Sequence, residues 1–337
     1  MKIKNKEVIR MKKKCCFIIP YFGKLPKSFS VFLKTCATNP DFNWLLLTDD
    51  KQSFKYPSNV QVEYVSLQDV AKLADSKFGF HVKLDEAYKL CDFKPAYGYI
   101  FEEYIKEYEF WGHCDIDIIL GKISHFLTRE ILDKYDKFFC MGHMIIYRNT
   151  YENNRVFMNT YKNRKLYKEV FTTPEICWFD EEWNGENNIN RIFLASGKRV
   201  LQEDWSANFN VNVQNFERNL LYVDDLTGKI VHTREGKINA LYYWDNGGTY
   251  RLYINNGKLI KEEFLYMHFQ WRNMHFDKRI FSNQKFKIVP NSFLTLTKIP
   301  ETVSEFNKIR KNTICFYSLD RWFKNSVIRR CKKIFKF

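Results

Sequence analysis

Apolar positions along the first half of the chain fall into runs that two kinds of spacing separate. Cys15–Pro20 and Asn43–Thr48 are almost uninterrupted apolar stretches, the pattern of strands buried on both faces. Val60–Ser66 alternates and predicts a third strand. Ser28–Thr38 places Phe29, Phe32, Leu33 and Cys36 on one helical face, and Leu67–Phe78 predicts a second helix. A third helix is expected over Ala96–Tyr108, with Pro95 in its first turn. It leads into Phe110–Gly121, a buried strand interrupted by Asp115 and Asp117, and Phe138–Tyr147 reads as a further strand. This alternation predicts a doubly wound α/β sheet. Ligands in such sheets bind at the carboxyl ends of the strands, where Pro20–Gly23, Asp49-Asp50 and Asp115/Asp117 fall.

The second half is less regular. Asn149–Val170 has helical character, and Glu175–Asn188 reads as a loop whose acids Asp180, Glu181 and Glu182 are expected to form a solvated face. Ile238–Trp244, Tyr250–Ile254 and Leu259–Phe269, joined at Asn246-Gly247 and Asn256-Gly257, predict a β-meander. After Pro300 the chain becomes helical and basic. The expected organisation is a basic lead over 1–14, one α/β domain over 15–299 and a basic amphipathic segment over 300–337.

Charge changes the picture only at the ends. The 337 residues carry a net charge of +15. Residues 1–14 hold seven Lys/Arg against one acid and residues 318–337 again seven against one, so only three of the fifteen positive charges remain for the body. That argues against a nucleic-acid-binding body, for which no motif is present either. The terminal segment interleaves Trp322, Phe323, Val327, Ile328, Ile334 and Phe335 with Arg and Lys. It suits either an anionic membrane surface or a solubilising tail. Nine cysteines include no Cys-X-X-Cys pair, which fits a reducing compartment. No run approaches the roughly 18 apolar residues of a spanning helix. The expected location is the cytoplasm, with peripheral contact on the inner membrane face.

Asp115 and Asp117 carry the chemistry. Two carboxylates two residues apart in so apolar a stretch are costly to bury without a cation, and a divalent metal with hard oxygen ligands supplies one. The alternative is a turn in which both cap backbone N–H groups.

Five blocks then occur in order: Ile19-Pro20-Tyr21-Phe22-Gly23, Leu47-Thr48-Asp49-Asp50, Cys91-Asp92-Phe93-Lys94-Pro95-Ala96-Tyr97-Gly98, Trp111-Gly112-His113-Cys114-Asp115-Ile116-Asp117 and His268-Phe269-Gln270. Together they resemble a bacterial family of GT-A-fold glycosyltransferase-like proteins found among surface-polysaccharide genes. The resemblance covers roughly residues 15–272. It implies a GT-A-like mixed sheet and transfer of a sugar from a nucleotide donor, a UDP-sugar, to a glycan or lipid-linked glycan with Mn2+ or Mg2+ as cofactor. Asp115, Asp117 and a later histidine, His268, would hold the metal, with Asp115 also within reach of the ribose. Pro20, Tyr21 and Phe22 would flank the nucleotide base, with Asp49 at the neighbouring strand end. Asp92 would bind donor hydroxyls and Lys94 a phosphate, against the plainer reading of a helix cap and a solvated lysine. Asp204 or Glu203 would be the base that deprotonates the acceptor, against acids placed at a helix start. His143 would lie on an acceptor-facing strand. A non-catalytic glycan- or nucleotide-binding protein on the same fold is the competing expectation.

Overall fold

Cys15–Ile19 alternates between two cores. Cys16 and Ile18 pack into one apolar cluster, whereas Cys15, Phe17 and Ile19 pack into another. A strand that buries both faces must sit inside a sheet with layers on either side, and the computed structural model bears this out. It describes residues 13–183, 185–211, 215–270, 272–309 and 311. Most of the expected basic lead and terminal basic segment lies outside the described residues.

In chain order the first eight strands are β1 (Lys13–Tyr21), β2 (Phe42–Thr48), β3 (Val60–Tyr64), β4 (Tyr108–Cys114), β5 (Ile118–Leu120), β6 (Lys137–Phe138), β7 (Met144–Arg148) and β8 (Val200–Leu201). Seven of them form one sheet in the order β3-β2-β1-β4-β7-β6-β8. Strands β1 to β4 are mutually parallel, and β7 runs antiparallel to β4. Helix α1 (Phe29–Cys36) packs on one face through Phe29, Phe32 and Leu33; helix α2 (Leu67–Phe78) packs on the other through Val70 and Ala74. Ser66 and Asp69 close a reciprocal capping box at the start of α2, and its range is the one that the apolar spacing predicts.

Several expected elements are broken. Phe110–Gly121 is not one strand but two, because the chain leaves this sheet after β4 and β5 belongs to another. Phe138–Tyr147 is a hairpin, not one strand: Phe139 has φ +69° and Phe138 pairs back on Ile146. Continuous apolar character records burial here without recording direction. The helix expected over Ala96–Tyr108 is two short turns, Tyr97–Ile100 and Glu102–Ile105, and Tyr108 already belongs to β4. Gly98 sets the approach of this segment, because a Cβ there would lie 2.1 Å from the Trp111 ring. Asn149–Val170 likewise holds only a 3-10 turn at Asn153–Met158 and the start of a short helix at Leu166–Phe171.

The remaining strands are β9 (Ser206–Phe209), β10 (Arg218–Val223), β11 (Ile230–Arg234), β12 (Ala240–Asp245), β13 (Gly248–Asn255), β14 (Lys258–Phe264), β15 (Tyr266–His268), β16 (His275–Phe276), β17 (Lys285–Val289) and β18 (Ser292–Thr295). A second sheet has the order β11-β10-β9-β15-β5 and a third the order β14-β13-β12-β17-β18-β16. The meander β12-β13-β14 forms, although the strand expected over Leu259–Phe269 divides into β14 and β15. Asn246 and Gly247 both have positive φ, as do Asn256 and Gly257, the backbone that two-residue hairpin turns require. After Phe264 the chain leaves the third sheet and enters the second as β15. No helix of the described residues is long and apolar enough to cross a membrane.

Candidate metal centre

The order β2-β1-β4 contains the point at which the winding of the sheet reverses. Pairing of β1 with β2 runs to Tyr21↔Thr48, but pairing of β1 with β4 ends at Phe17↔Gly112. Pro20 has no amide hydrogen with which to extend a ladder. Beyond Gly112 the two strands no longer pair, and their carboxyl ends occupy the general ligand position of such sheets. Tyr21 ends β1; Asp115 and Asp117 follow β4. Burial and then the carboxylates of Asp117 and Asp50 raise the Tyr21 phenol above its ordinary pKa.

Residues 118–120 pair with β15 in the register Ile118↔His268, and the Phe269 N–H donates to the Asp117 carbonyl at 3.1 Å. This pairing carries a histidine 151 positions downstream of Asp117 onto the carboxylates. His268 Nε2 lies 3.4 Å from Asp117 Oδ1 and 3.8 Å from Asp115 Oδ2. On the other ring edge, Nδ1 lies 3.1 Å from Asn208 Oδ1, which also accepts from Gln270 Nε2 at 2.7 Å. An amide oxygen can only accept, so Nδ1 carries a proton, and Nε2 is the ring edge turned to the carboxylates, available as a ligand once its own proton has left. Burial opposes the imidazolium, but Asp117 and then Asp115 outweigh it and raise the His268 pKa.

Lys94 closes the inner side. Its ammonium donates to Asp115 Oδ1 at 3.0 Å and to the Gly142 carbonyl at 2.8 Å, and it lies 3.3 Å from Asp180 Oδ2. Burial disfavours the charge, yet Asp115 and Asp180 hold the Lys94 pKa well above its ordinary value. Lys94 is thus not the solvated lysine of the plainer reading. Asp180 and Glu182 correct a second expectation, because both are buried instead of forming a solvated face. Lys94 partners Asp180, and Arg191 Nε donates to Glu182 Oε1 at 2.7 Å. Glu181 Oε2 accepts the Gly142 N–H at 3.1 Å. Desolvation pushes the Asp180 carboxyl up to about 7 and raises that of Glu181. Their sequence signal was an acidic run framed by Trp178, Phe179 and Trp183, apolar company unusual for a solvated face.

The other predicted residues divide. Asp92 is fully buried, and its oxygens are taken by Lys89 at 2.8 Å and by the N–H groups of Cys177 and Phe179 at 2.9 and 3.0 Å. Those two amides flank Trp178, whose φ of +52° is strained for a bulky residue. Asp92 therefore fixes the loop that carries Asp180 and Glu181. Asp49 Oδ1 accepts the Gly23 N–H at 2.8 Å and pins the turn after β1, where Gly23 has φ +92°. A cavity of about 370 Å3 opens beside that turn, lined by Gly23, Lys24, Asp49, Asp50 and Gln52. Phe22 packs against the core on the α2 side. Glu203 and Asp204 lie in the loop between β8 and β9, not at a helix start. Glu203 accepts the Trp205 indole N–H at 2.7 Å; Asp204 Oδ1 accepts the Ser206 hydroxyl at 2.6 Å and its N–H at 3.0 Å. Burial raises the Asp204 carboxyl above its ordinary pKa. His143 stacks within 4.4 Å of the His268 ring and contacts the Tyr266 hydroxyl at 2.6 Å. Burial and then His268 hold it neutral. Asn208 and Tyr266 are invisible to motif reading, because only strand register brings them here.

One atom each from Asp115, Asp117 and His268 fall within 4.8 Å of one another. Two hard carboxylates and one imidazole with a fixed tautomer fit Mn2+, and fit Mg2+ less well because of the nitrogen ligand. A second set, Cys91, Asp92 and Asp180, is equally close but fits poorly: the Asp92 oxygens are occupied and burial raises the Cys91 thiol far from thiolate formation. Among curated proteins nothing matches the chain. A family of unknown function, DUF6625, matches it over residues 17–297, and the chain belongs to that family.

Proposed function

We propose that the protein is a metal-dependent glycosyltransferase of the GT-A type that moves a sugar from a nucleotide-sugar, a UDP-sugar, to a glycan or lipid-linked glycan acceptor in surface-polysaccharide synthesis. The observation that carries this reading is the meeting of Asp115, Asp117 and the Nε2 edge of His268 beyond the carboxyl end of β4. A divalent cation there would offset the charge of a diphosphate leaving group. Asp115, Asp117 and His268 would hold it, with Asn208 fixing the imidazole. Lys94, engaged by Asp115 and Asp180, positions Asp115 and lowers the negative charge of the pocket. Tyr21, at the end of β1, is the aromatic group best situated to meet the nucleotide. Asp204, with Oδ1 held by Ser206, is the candidate to take the proton from an acceptor hydroxyl. Peripheral membrane contact through the terminal basic segment belongs to the same proposal; residues 312–337 lie outside those described.

The test is a panel of nucleotide-sugars incubated with the protein and Mn2+, read by metal-dependent thermal stabilisation and by release of the free nucleotide. A ligand that binds only the folded state raises its stability. The expected outcome is one UDP-sugar that stabilises the protein with Mn2+ and not with a chelator. If no nucleotide-sugar stabilises the protein or releases nucleotide, the reading fails.

A further inference from the structure

A cavity of about 480 Å3 lies outside the set of Asp115, Asp117 and His268, none of which lines it. Its walls come from the β8–β9 loop, through Gln202, Glu203, Asp204 and Trp205, and from β10 and the turn after it, through Tyr222 and Asp225. The volume falls within the range of small-molecule pockets, roughly 300–1,000 Å3.

Three features of the lining define what it can hold. The first is charge. Among the described residues three carboxylates line the cavity and no Lys or Arg does, so a phosphate or nucleotide would meet repulsion from them, whereas hydroxyl donors would meet acceptors. The second is the aromatic surface. Trp205 is braced by Phe126 and Phe139, with ring centroids at 5.8 and 5.4 Å, and its indole N–H is bound by Glu203. It is a rigid plate whose polar edge is already satisfied. Tyr222 is 47% exposed on β10, a large ring left open to water. The electron-rich face of such rings favours the polarised C–H side of a ligand. Hydroxyls at the edge and C–H groups on the face are the two surfaces of a pyranose.

The third feature is adjacency to the metal centre. Asp204 belongs to the cavity lining, and Ser206, two residues on, pairs with Tyr266 in the register that pairs Asn208 with His268. The Ser206 hydroxyl and N–H both bind Asp204 Oδ1, which leaves Oδ2 for a ligand. One strand pair thus connects the cavity wall with the imidazole of the metal centre.

We infer that this cavity is a carbohydrate site for a neutral pyranose, with Trp205 and Tyr222 as stacking surfaces and Glu203, Asp204 and Asp225 as hydroxyl acceptors. On the glycosyl-transfer reading, on which only this last assignment rests, the bound sugar is the acceptor, and its reactive end is an unphosphorylated hydroxyl near Asp204.

The experiment is saturation-transfer NMR on the full chain with a panel of neutral methyl pyranosides and the matching sugar phosphates. Wild type, Tyr222→Ala and Trp205→Ala are compared, and stabilisation by UDP with Mn2+ is measured in parallel. At least one neutral pyranoside should receive saturation, sugar phosphates should not, and the signal should fall at least tenfold in both variants. Tyr222→Ala, altered at an exposed strand position, should keep its response to UDP and Mn2+. Absence of transfer to every neutral pyranoside, equal transfer to sugar phosphates, or an unchanged signal in Tyr222→Ala would each overturn the inference. If pyranosides bind at this cavity while UDP and Mn2+ have no effect, the carbohydrate site stands and glycosyl transfer falls.

Discussion

Two lysine–aspartate pairs, whose lysines lie five residues apart in sequence, could hardly differ more in what surrounds them. Lys89 and Asp92 have side chains 2% and 0% exposed, and the Asp92 oxygens are filled by an ammonium and two amides. Lys94 and Asp115 have side chains 15% and 34% exposed, and beside them stand Asp117, Asp180, Glu181 and a histidine with its Nε2 edge turned to the carboxylates. The first pair is saturated, and its effect is to hold a loop. Among the described residues, the second sets several carboxylates around one lysine, and its aspartate is partly exposed to solvent. A charged pair of either kind looks the same in a motif. What separates structure from site is the remaining acceptor capacity and its access to solvent.

That comparison can be broken at its closed end first. Asp92→Ala leaves the Lys89 ammonium buried without its partner, and breaking such a pair costs about 3–5 kcal/mol. Chemical denaturation should show a loss of that size and loosening of the loop around Trp178. A loss below about 1 kcal/mol would mean that the pair is not a clamp.

A third buried lysine sharpens the contrast. Among the described residues Lys137 has only neutral hydrogen-bond partners, the Phe139 carbonyl and Asn190 Oδ1, and desolvation lowers its pKa to about 8. Below pH ~8 both folded and unfolded chains hold the proton, and the cost of burying the ammonium, about 3 kcal/mol, is fully present. Between pH ~8 and ~10.4 the folded state loses the proton first, so the unfolded state binds more protons and stability rises with pH. Lys137→Met should therefore be most favourable relative to wild type below pH ~8, and that relative advantage should shrink by about 3 kcal/mol towards pH ~10.4. A stability difference independent of pH would refute the assignment.

Gly142→Ala probes the boundary between the clamp and the open centre. Its Cβ would lie 2.5 Å from Asp180 Oδ2, and such overpacking typically costs about 1–3 kcal/mol. The displaced acid should also weaken Mn2+ binding, which calorimetry would register; full affinity in a folded variant would show Asp180 to be irrelevant to the centre. The smallest change is at Asn208. Asn208→Ala frees the His268 ring, and losing such an orienting partner lowers metal affinity by about 10–100-fold. Unaltered affinity would mean that the imidazole is not a ligand.

Much of this frame was readable from residue order. The apolar runs at Cys15 and Asn43, the capped helix at Leu67–Phe78 and the Asn-Gly hairpins are set by local periodicity and turn chemistry, and they formed where expected. Asp115 and Asp117 declared themselves as charges in apolar company. The hairpin inside Phe138–Tyr147 did not, because an apolar run does not encode where the chain reverses. The burial of Asp180 and Glu182 depends on Lys94 and Arg191; for Asp180 the partner is distant in sequence, and for Glu182 it is nearby but set by the fold. His268 could be suggested by resemblance, but its orientation follows from β15 leaving the meander to pair with β5 and β9, where Asn208 waits. Those contacts are non-local, and single-sequence periodicity carries no record of them.

The most direct test of the central claim is a Mn2+ titration of the metal-free protein, followed by electron paramagnetic resonance of the free ion, for wild type, Asp117→Ala and His268→Ala. The account predicts one Mn2+ site in wild type, strengthened by UDP, abolished in Asp117→Ala and weakened at least tenfold in His268→Ala, with both variants folded. Equal Mn2+ binding in wild type and folded Asp117→Ala would contradict it.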